Sequence, residues 1–187
     1  MKKRAVRSLF FCSIIGACLI FTVSLSAQDE FRARLVTTGG PVQEKVMNVK
    51  IVIESYTTAD DVRQLQQILN KSSSSEFLTA FRKIDKGVIR FMGTRGLNLR
   101  INAVQSRPTE NGMKILIFTE RQSWDVNVDI NISGKYFFMV VELEMDKNRK
   151  WTGKFYKAAN IQLSRKGTIE IESYESPMML MGVRKTK

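Results

Sequence analysis

Hydrophobic and polar side chains alternate along most of the chain after residue 27, which is the pattern of half-buried β-strands. In the first of these runs, Phe31, Ala33 and Leu35 alternate with Arg32 and Arg34. Glycine, proline, asparagine and aspartate separate the runs and mark the turns between strands. The alternation predicts strands over residues 31–37, 46–56, 88–92, 97–104, 113–119, 126–132, 136–145, 152–163, 168–174 and 178–183.

The spacing of apolar residues changes to a helical period between the second and third predicted strands. Thr58 and Asp61 have the spacing of a capping box before the first helix, and Ser73 and Glu76 repeat it before the second. Gly87 is predicted to end the second helix in the left-handed conformation. The apolar stripes are Val62, Leu65, Ile68 and Leu69 in the first helix and Phe77, Phe81 and Ile84 in the second.

These elements predict an α+β fold. The short strands, with turns about 8 to 12 residues apart, favour antiparallel pairing, and no further helix is present to connect parallel strands. We expect a strongly curved antiparallel sheet or a barrel of about 8 to 10 strands. The helical hairpin is inserted after the second strand, where it packs against one face of the sheet or plugs one end.

The first 27 residues have the order of a secretory signal peptide. A basic start precedes an apolar run over residues 9–23, and small residues follow at positions 24–27. The run is about 15 residues long, shorter than the ~20 residues that span a bilayer as a helix. We expect cleavage after Ala27, with Ser26 as the alternative position, and a single α+β domain over residues 28–187.

Cys18 offers a second interpretation of this segment. It follows Ile15, Gly16 and Ala17 in the outline of a lipoprotein processing site, where the cysteine becomes the lipidated N-terminus. An uncleaved membrane anchor is the third interpretation. Cleavage after Ala27 is favoured because apolar residues, rather than a polar tether, follow Cys18. The expected location is the periplasm or the cell exterior, with membrane anchoring through the N-terminal segment as the alternative.

The charge of the chain and the residue types that it lacks limit the kinds of catalytic and metal-binding sites that it can form. The chain has 30 Lys and Arg residues against 18 Asp and Glu residues, a net charge of +12, and no His. The absence of His excludes Ser-His-Asp triads, Cys-His dyads and imidazole-ligated zinc sites. Both cysteines, Cys12 and Cys18, lie in the N-terminal segment, so a domain over residues 28–187 contains no disulfide.

Carboxylates at alternate strand positions are the candidates for catalysis. Glu142 and Glu144 share one strand face, Glu170 and Glu172 share another, and Glu175 lies nearby in the sequence. Carboxylates about 6.7 Å apart along a strand suit a glycosidase. The same alternation is typical of a half-exposed strand whose Glu residues pair with Lys or Arg on neighbouring strands. We favour this structural interpretation and predict no catalytic residue.

One polar run imitates a calcium-binding loop. Its sixth and twelfth positions are Ile130 and Tyr136, where such a loop needs a glycine and a bidentate Glu. A strand with one solvated face explains the pattern better, so no metal and no cofactor is predicted. The oxygen-bearing residues of the run are Asp125, Asn127, Asp129, Asn131 and Ser133.

Two partners are compatible with the composition of the predicted strands and turns. Basic clusters could hold an anionic envelope surface such as lipid headgroups, whereas nucleic acid is not expected because no binding motif accompanies the charge. Methionine and aromatic residues in the last strands could line a cavity for an apolar small molecule. The basic clusters are Lys147, Arg149, Lys150, Lys154 and Lys157, then Arg165 and Lys166, then Arg184, Lys185 and Lys187.

Short segments spread over most of the chain after residue 27 carry a family resemblance. They are Gly39-Gly40-Pro41, residues 51–58, Thr119-Glu120-Arg121, residues 136–142, Ile171-Glu172-Ser173-Tyr174, Pro177 and Leu180. With these segments the chain resembles a family of small exported bacterial proteins known only as hypothetical proteins. The resemblance implies a signal peptide and an α+β domain, and it implies no activity.

The sequence therefore predicts a non-enzymatic exported domain that binds an apolar small molecule or an envelope component. A closed apolar pocket would favour this function. The first alternative is a carboxylate-dependent hydrolase, which two converging carboxylates in an open cleft would favour. The second is a structural module that binds a partner protein through an exposed apolar patch.

Overall fold

The computed structural model describes residues 28–37, 45–71, 73–93, 98–121 and 136–187. These residues form two helices and ten strands. In chain order the elements are β1 Asp29–Thr37, β2 Lys45–Ile53, α1 Ala59–Lys71, α2 Ser74–Lys83, β3 Gly87–Met92, β4 Asn98–Ile101, β5 Ala103–Thr109, β6 Gly112–Glu120, β7 Phe138–Met145, β8 Trp151–Leu163, β9 Ile169–Tyr174 and β10 Met178–Lys185.

All ten strands belong to one antiparallel sheet. Its order is β4-β3-β2-β1-β10-β8-β7-β6-β5, and β9 pairs with β8 beside this path. The predicted α+β class and the helical hairpin after the second strand are confirmed. Within the described ranges no strand ladder joins β4 to β5, so the sheet is not closed into a barrel.

One face of the sheet forms the larger hydrophobic core. Every second residue of the strands points into it, as the alternation in β1 and β2 predicts. Burying these side chains contributes roughly 1.5–3 kcal/mol each when they are as large as Val, Leu or Phe. Its buried members are Phe31, Ala33, Leu35, Val49, Ile51, Ile53, Ile89, Phe91, Leu99, Ile101, Val104, Ile115, Ile117, Met139, Val141, Leu143, Phe155, Leu180 and Val183.

The helical hairpin covers part of the opposite face, over the strands from β5 to β9. Phe81 is fully buried there and lies edge-on to Phe138, with 5.3 Å between the ring centroids. The opposite face of β1 to β4 and β10 has no helix over it in the described part of the chain. The buried residues of this second core are Val62, Leu65, Phe77, Phe81, Ala103, Leu116, Phe118, Phe138, Val140, Tyr156, Ala159, Leu163 and Ile169.

Neither helix has the length and hydrophobicity that a bilayer-spanning helix needs, within the residues described.

The two predicted helix starts are confirmed. The backbone N–H of Thr58 donates to the Asp61 carboxylate at 2.9 Å, and the backbone N–H of Asp61 donates to the Thr58 hydroxyl at 3.1 Å. Ser73 is the N-cap of α2, where its hydroxyl accepts from the backbone N–H of Glu76 at 3.4 Å. These side chains satisfy backbone N–H groups that the first turn of a helix leaves unpaired.

The predicted role of Gly87 is wrong. Helix α2 ends at Lys83, and its C-cap residue Ile84 is extended. Gly87 instead begins β3 with a φ of +135°, and a Cβ atom there would lie 2.1 Å from the backbone oxygen of Val52. The glycine is therefore required by the close approach of β2 to β3.

The fourth predicted strand, over residues 97–104, is also wrong in its extent. The chain breaks its ladder at Asn102, where β4 leaves β3 and β5 begins to pair with β6. Strand β5 then continues through Pro108, which is tolerated because β5 is an edge strand. The predicted strand over residues 126–132 lies outside the described residues, as does the predicted signal peptide.

The Asp61 carboxylate makes the start of α1 sensitive to acid. Burial by itself raises its pKa, but the Thr58 N–H and the Lys86 ammonium, 3.1 Å away, reverse this effect and lower the pKa below its ordinary value of 3.8. A lowered pKa stabilises the fold above pH 3.8, and this stabilisation is lost as the pH falls through the folded-state pKa.

We therefore expect Asp61→Asn to lower the melting temperature by a few degrees at neutral pH, because the ion pair and the acceptor charge are lost. As the pH falls through the folded-state pKa of Asp61, the difference between the two melting temperatures should shrink. Thermal melts followed by circular dichroism across this pH range test the prediction. Asp60→Asn is the matched control, since Asp60 is largely exposed. An equal difference at every pH contradicts the prediction.

Candidate functional site

Four cationic side chains lie side by side across the uncovered face of the sheet. In the strand registers, Arg184 of β10 pairs with Arg32 of β1, Arg32 pairs with Lys50 of β2, and Lys50 pairs with Arg90 of β3. Neighbouring strands are about 4.8 Å apart, so the four residues form a continuous line. We call Arg184, Arg32, Lys50 and Arg90 the basic row.

Arg34 on β1 and Arg100 on β4 share this face with the basic row. The one acidic residue among the outward-facing positions of these strands, within the described ranges, is Glu30. Its carboxylate lies 2.7 Å from Lys50 Nζ and 3.2 Å from Arg32 Nε. The hydrogen bond from Lys50 is the main cause that lowers the pKa of Glu30. We call the outward-facing side of β1–β4 and β10 the basic face.

The basic row is only partly neutralised by its surroundings. Within the described part of the chain, Arg34, Arg90 and Arg184 form no salt bridge. Arg32 and Lys50 share the single carboxylate of Glu30. Like charges directly opposite each other on neighbouring strands destabilise a sheet. The basic face is therefore a place where the fold tolerates an electrostatic cost.

On the strands β6 to β8, the charged side chains of the sheet form pairs of opposite charge. Glu142 of β7 is opposite Lys154 of β8, and Lys114 of β6 is opposite Glu144. Lys114 Nζ lies 3.5 Å from Glu142 and 3.7 Å from Glu144, and Lys154 Nζ lies 3.7 Å from Glu142. Opposite charges in this arrangement stabilise strand pairing. The contrast with the basic row lies within one sheet and one strand geometry.

Apolar side chains are exposed on the basic face beside the cations. Met181 lies opposite Arg34 in the strand register, and Met179 lies opposite Val36. The exposed fractions are 49% for Met181, 42% for Met179, 56% for Met92 and 53% for Val46. Cations and flexible apolar side chains are thus combined on one solvent-facing surface.

A cleft of about 830 Å³ opens beside α2, β4 and the end of β6. An ion pair between Arg82 and Glu120 crosses it, and the Arg82 Nε lies 2.7 Å from the Glu120 carboxylate. This pairing raises the pKa of Arg82. The lining is mostly polar, so the cleft is not the apolar cavity that the sequence predicts, and apolar-ligand binding stays a prediction. Its lining includes Glu54, Arg82, Asp85, Asn98, Arg100, Asn102, Glu120 and Arg121.

The candidate carboxylates are partly brought together. Glu142 and Glu170 line one open cleft of about 390 Å³, whereas Glu172 is exposed on β9. The predicted pairing of Glu142 and Glu144 with lysines on neighbouring strands is confirmed. Two lysines balance the negative charge of Glu142. This arrangement is the one expected of a carboxylate that stabilises strand pairing rather than of a catalytic residue.

Several predicted sites lie outside the described residues. They include the cleavage positions Ala27 and Ser26, the lipidation candidate Cys18, and the polar run from Asp125 to Ser133. Within the described ranges, no three acidic, cysteine or histidine side chains are grouped closely enough to hold a metal ion.

The basic row is not predicted from the sequence, where clusters of basic residues are visible only when their members are close along the chain. Its members lie on four strands, and only the strand register brings them together. The one sequence feature that indicates the basic row is the polar face of the first strand, where Arg32 and Arg34 occupy successive outward positions. Arg184, which belongs to the predicted C-terminal cluster, is the one member of the row found in a predicted basic cluster.

Comparisons with protein families, with curated proteins and with solved structures find no match to this chain. The resemblance to exported hypothetical proteins therefore stays a prediction.

Proposed function

We propose that this protein is a non-enzymatic domain of the bacterial envelope that binds the anionic headgroup surface of a membrane through its basic face. The observation that carries the proposal is the basic row, in which four cations are neighbours across four strands. Phosphate groups of lipids supply the negative charge that the row lacks. Binding then removes the repulsion that the folded protein tolerates in solution.

The apolar residues of the basic face favour a lipid surface over a soluble polyanion. Met92, Met179 and Met181 are exposed beside the cations. At a bilayer, cations contact headgroups while neighbouring apolar side chains enter the boundary with the acyl chains. A soluble polyanion would leave these methionines in water. Each Lys or Arg near an anionic bilayer contributes about 1 kcal/mol to binding.

We also infer that the sheet is strongly curved, so that the basic face is its convex side. Asn102 alone separates β4 from β5, although these strands stand at opposite ends of the strand order. A flat sheet of this size would hold its two end strands far apart, because neighbouring strands are about 4.8 Å apart. The shared core on the inner face supports the same shape.

An exported location belongs to the proposal. Its support is the N-terminal segment, in which basic, apolar and small residues follow one another in the order of a signal peptide. An exported domain meets the anionic lipids of the envelope directly, either after cleavage or while held at the membrane by that segment.

Vesicle co-sedimentation of the protein in its native processed form tests this function. We expect binding to vesicles with anionic phosphatidylglycerol and much weaker binding to pure phosphatidylcholine, with a loss at high salt because of screening. Arg90→Gln combined with Arg184→Gln removes both ends of the basic row. At about 1 kcal/mol per cation, the double variant should bind roughly 30-fold more weakly.

The matched control is Arg165→Gln combined with Lys166→Gln. It removes the same charge from the exposed turn between β8 and β9, away from the basic face. The control should bind anionic vesicles within about twofold of the original protein, because contact at the surface decides the energy. Equal losses in both double variants, or equal binding to both lipids, would refute the proposed function.

A further inference from the structure

A second cleft lies over the strands β5 to β9, away from the strands β1–β4 and β10 that carry the basic face. Its volume is about 390 Å³, at the small end of the ~300–1,000 Å³ typical of ligand pockets. We call it the tyrosine cleft, because Tyr156 and Tyr174 form part of its lining. The other lining residues are Arg107, Lys114, Leu116, Glu142, Lys154, Glu170 and Ile171.

Tyr156 is 4% exposed, yet its hydroxyl has no hydrogen-bond partner among the described residues. The hydroxyl is not one of the fully buried, unpaired side-chain oxygens of the described residues, so it keeps access to the cleft that the residue lines. Burial, followed by the charges of Glu142 and Tyr174, raises its pKa to about 12. At neutral pH the phenol is therefore protonated and can donate a hydrogen bond. A buried polar group in this state is normally paired.

Tyr174 supplies an apolar surface beside this hydroxyl. Its side chain is 54% exposed, and its ring packs edge-on to Tyr156 with 4.8 Å between centroids and 70° between ring planes. The contact with Tyr156 holds the Tyr174 ring in place while leaving much of its surface open to a ligand. A fixed aromatic ring loses little conformational entropy when a ligand packs on it.

The charges around the cleft nearly cancel. Arg107, Lys114 and Lys154 supply donors, and Glu142 and Glu170 supply acceptors. Glu142 is already 3.5 Å from Lys114 Nζ and 3.7 Å from Lys154 Nζ. The cleft therefore presents donors and acceptors together with little net field. This arrangement suits a neutral ligand that carries several hydroxyl groups better than it suits an anion.

We propose that the tyrosine cleft binds a neutral saccharide, one unit of which packs its C–H face on the Tyr174 ring. A sugar hydroxyl accepts the unused hydrogen bond of the Tyr156 phenol. Neighbouring sugar hydroxyls donate to Glu170 and accept from Arg107. The site is separate from the basic face, so it stands or falls independently of membrane binding.

Saturation-transfer NMR and calorimetric titration with neutral oligosaccharides test the site, with chitotriose and maltotriose as the probes. We expect binding of at least one probe, weakened about fivefold to tenfold by Tyr156→Phe, which removes a single hydrogen-bond donor. Tyr174→Ala should weaken it more than tenfold, whereas Tyr174→Phe, which keeps the ring, should bind nearly as the original protein does. Phe137→Ala is the control, because Phe137 is an exposed aromatic that does not line the cleft.

Three outcomes would overturn the saccharide site. The first is no transfer to either probe at millimolar concentration, and the second is full binding by Tyr174→Ala. The third is a preference for an acidic probe such as trigalacturonate over the neutral ones, which would show that charge decides binding. Near-ultraviolet circular dichroism of each variant verifies that the fold is intact, and vesicle binding should be unchanged in all of them.

Discussion

Replacing Asn102 with alanine is expected to lower the free energy of unfolding by about 3 kcal/mol, since each buried polar group left unpaired costs ~1–3 kcal/mol. The Asn102 side chain is 2% exposed and joins three parts of the fold. Its Nδ2 donates to the Ile84 backbone oxygen at 2.9 Å, and its Oδ1 accepts from the Glu120 backbone N–H at 3.0 Å. Alanine removes both bonds at the break between β4 and β5. Urea unfolding followed by circular dichroism measures the loss.

Asn102→Asp removes one of the two hydrogen bonds and keeps the other. The carboxylate still accepts from Glu120 but cannot donate to Ile84, and it places a charge in a buried position. This variant should be at least as unstable as Asn102→Ala at neutral pH. Asn98→Ala on the exposed face of β4 is the control and should change the stability by less than about 0.5 kcal/mol. A loss below 1 kcal/mol in Asn102→Ala would show that this side chain does not join the elements.

Phe81→Ala is expected to cost about 3–5 kcal/mol, the range for removing a buried phenylalanine. Phe81 is fully buried on α2 and contacts two rings, with centroid distances of 5.9 Å to Phe77 and 5.3 Å to Phe138. The first contact lies within α2 and the second joins α2 to β7. The truncation leaves a cavity where the helical hairpin meets the sheet. Chemical denaturation gives the free energy.

Hydrogen exchange locates the effect of Phe81→Ala. Protection should fall first in α1 and α2, because their second core is weakened, while β1 and β2 keep theirs in the larger core. Leu69→Ala is the control, since Leu69 is 39% exposed and its removal should cost less than about 1 kcal/mol. A uniform loss of protection across the sheet would mean that the two cores unfold as one unit.

The sequence predicts the elements whose pattern is local. Alternation identifies the inward face of β1, with Phe31, Ala33 and Leu35 all buried. The capping residues Thr58 and Ser73 locate the starts of both helices. These features depend on neighbours within four residues, where backbone geometry and side-chain period are decisive.

The features that sequence patterns miss depend on distant partners. Residues 97–104 have the composition of one strand, yet Asn102 breaks it because its side chain bonds to Ile84 and Glu120 from other elements. The basic row depends on the order of β10, β1, β2 and β3, which alternation does not fix. Tyr156 and Tyr174 come together because β9 pairs with β8, and alternation within a single strand does not predict which strands pair.

The place of β10 in the strand order has a consequence for how the molecule forms. This strand lies between β1 and β8, and it joins the four strands β1–β4 to the rest of the sheet. Since β10 follows all other strands in the chain, the two halves have no shared ladder until the last segment has been synthesised. Such distant pairing makes folding slow. The sheet is therefore completed only when the C-terminal strand pairs with both β1 and β8.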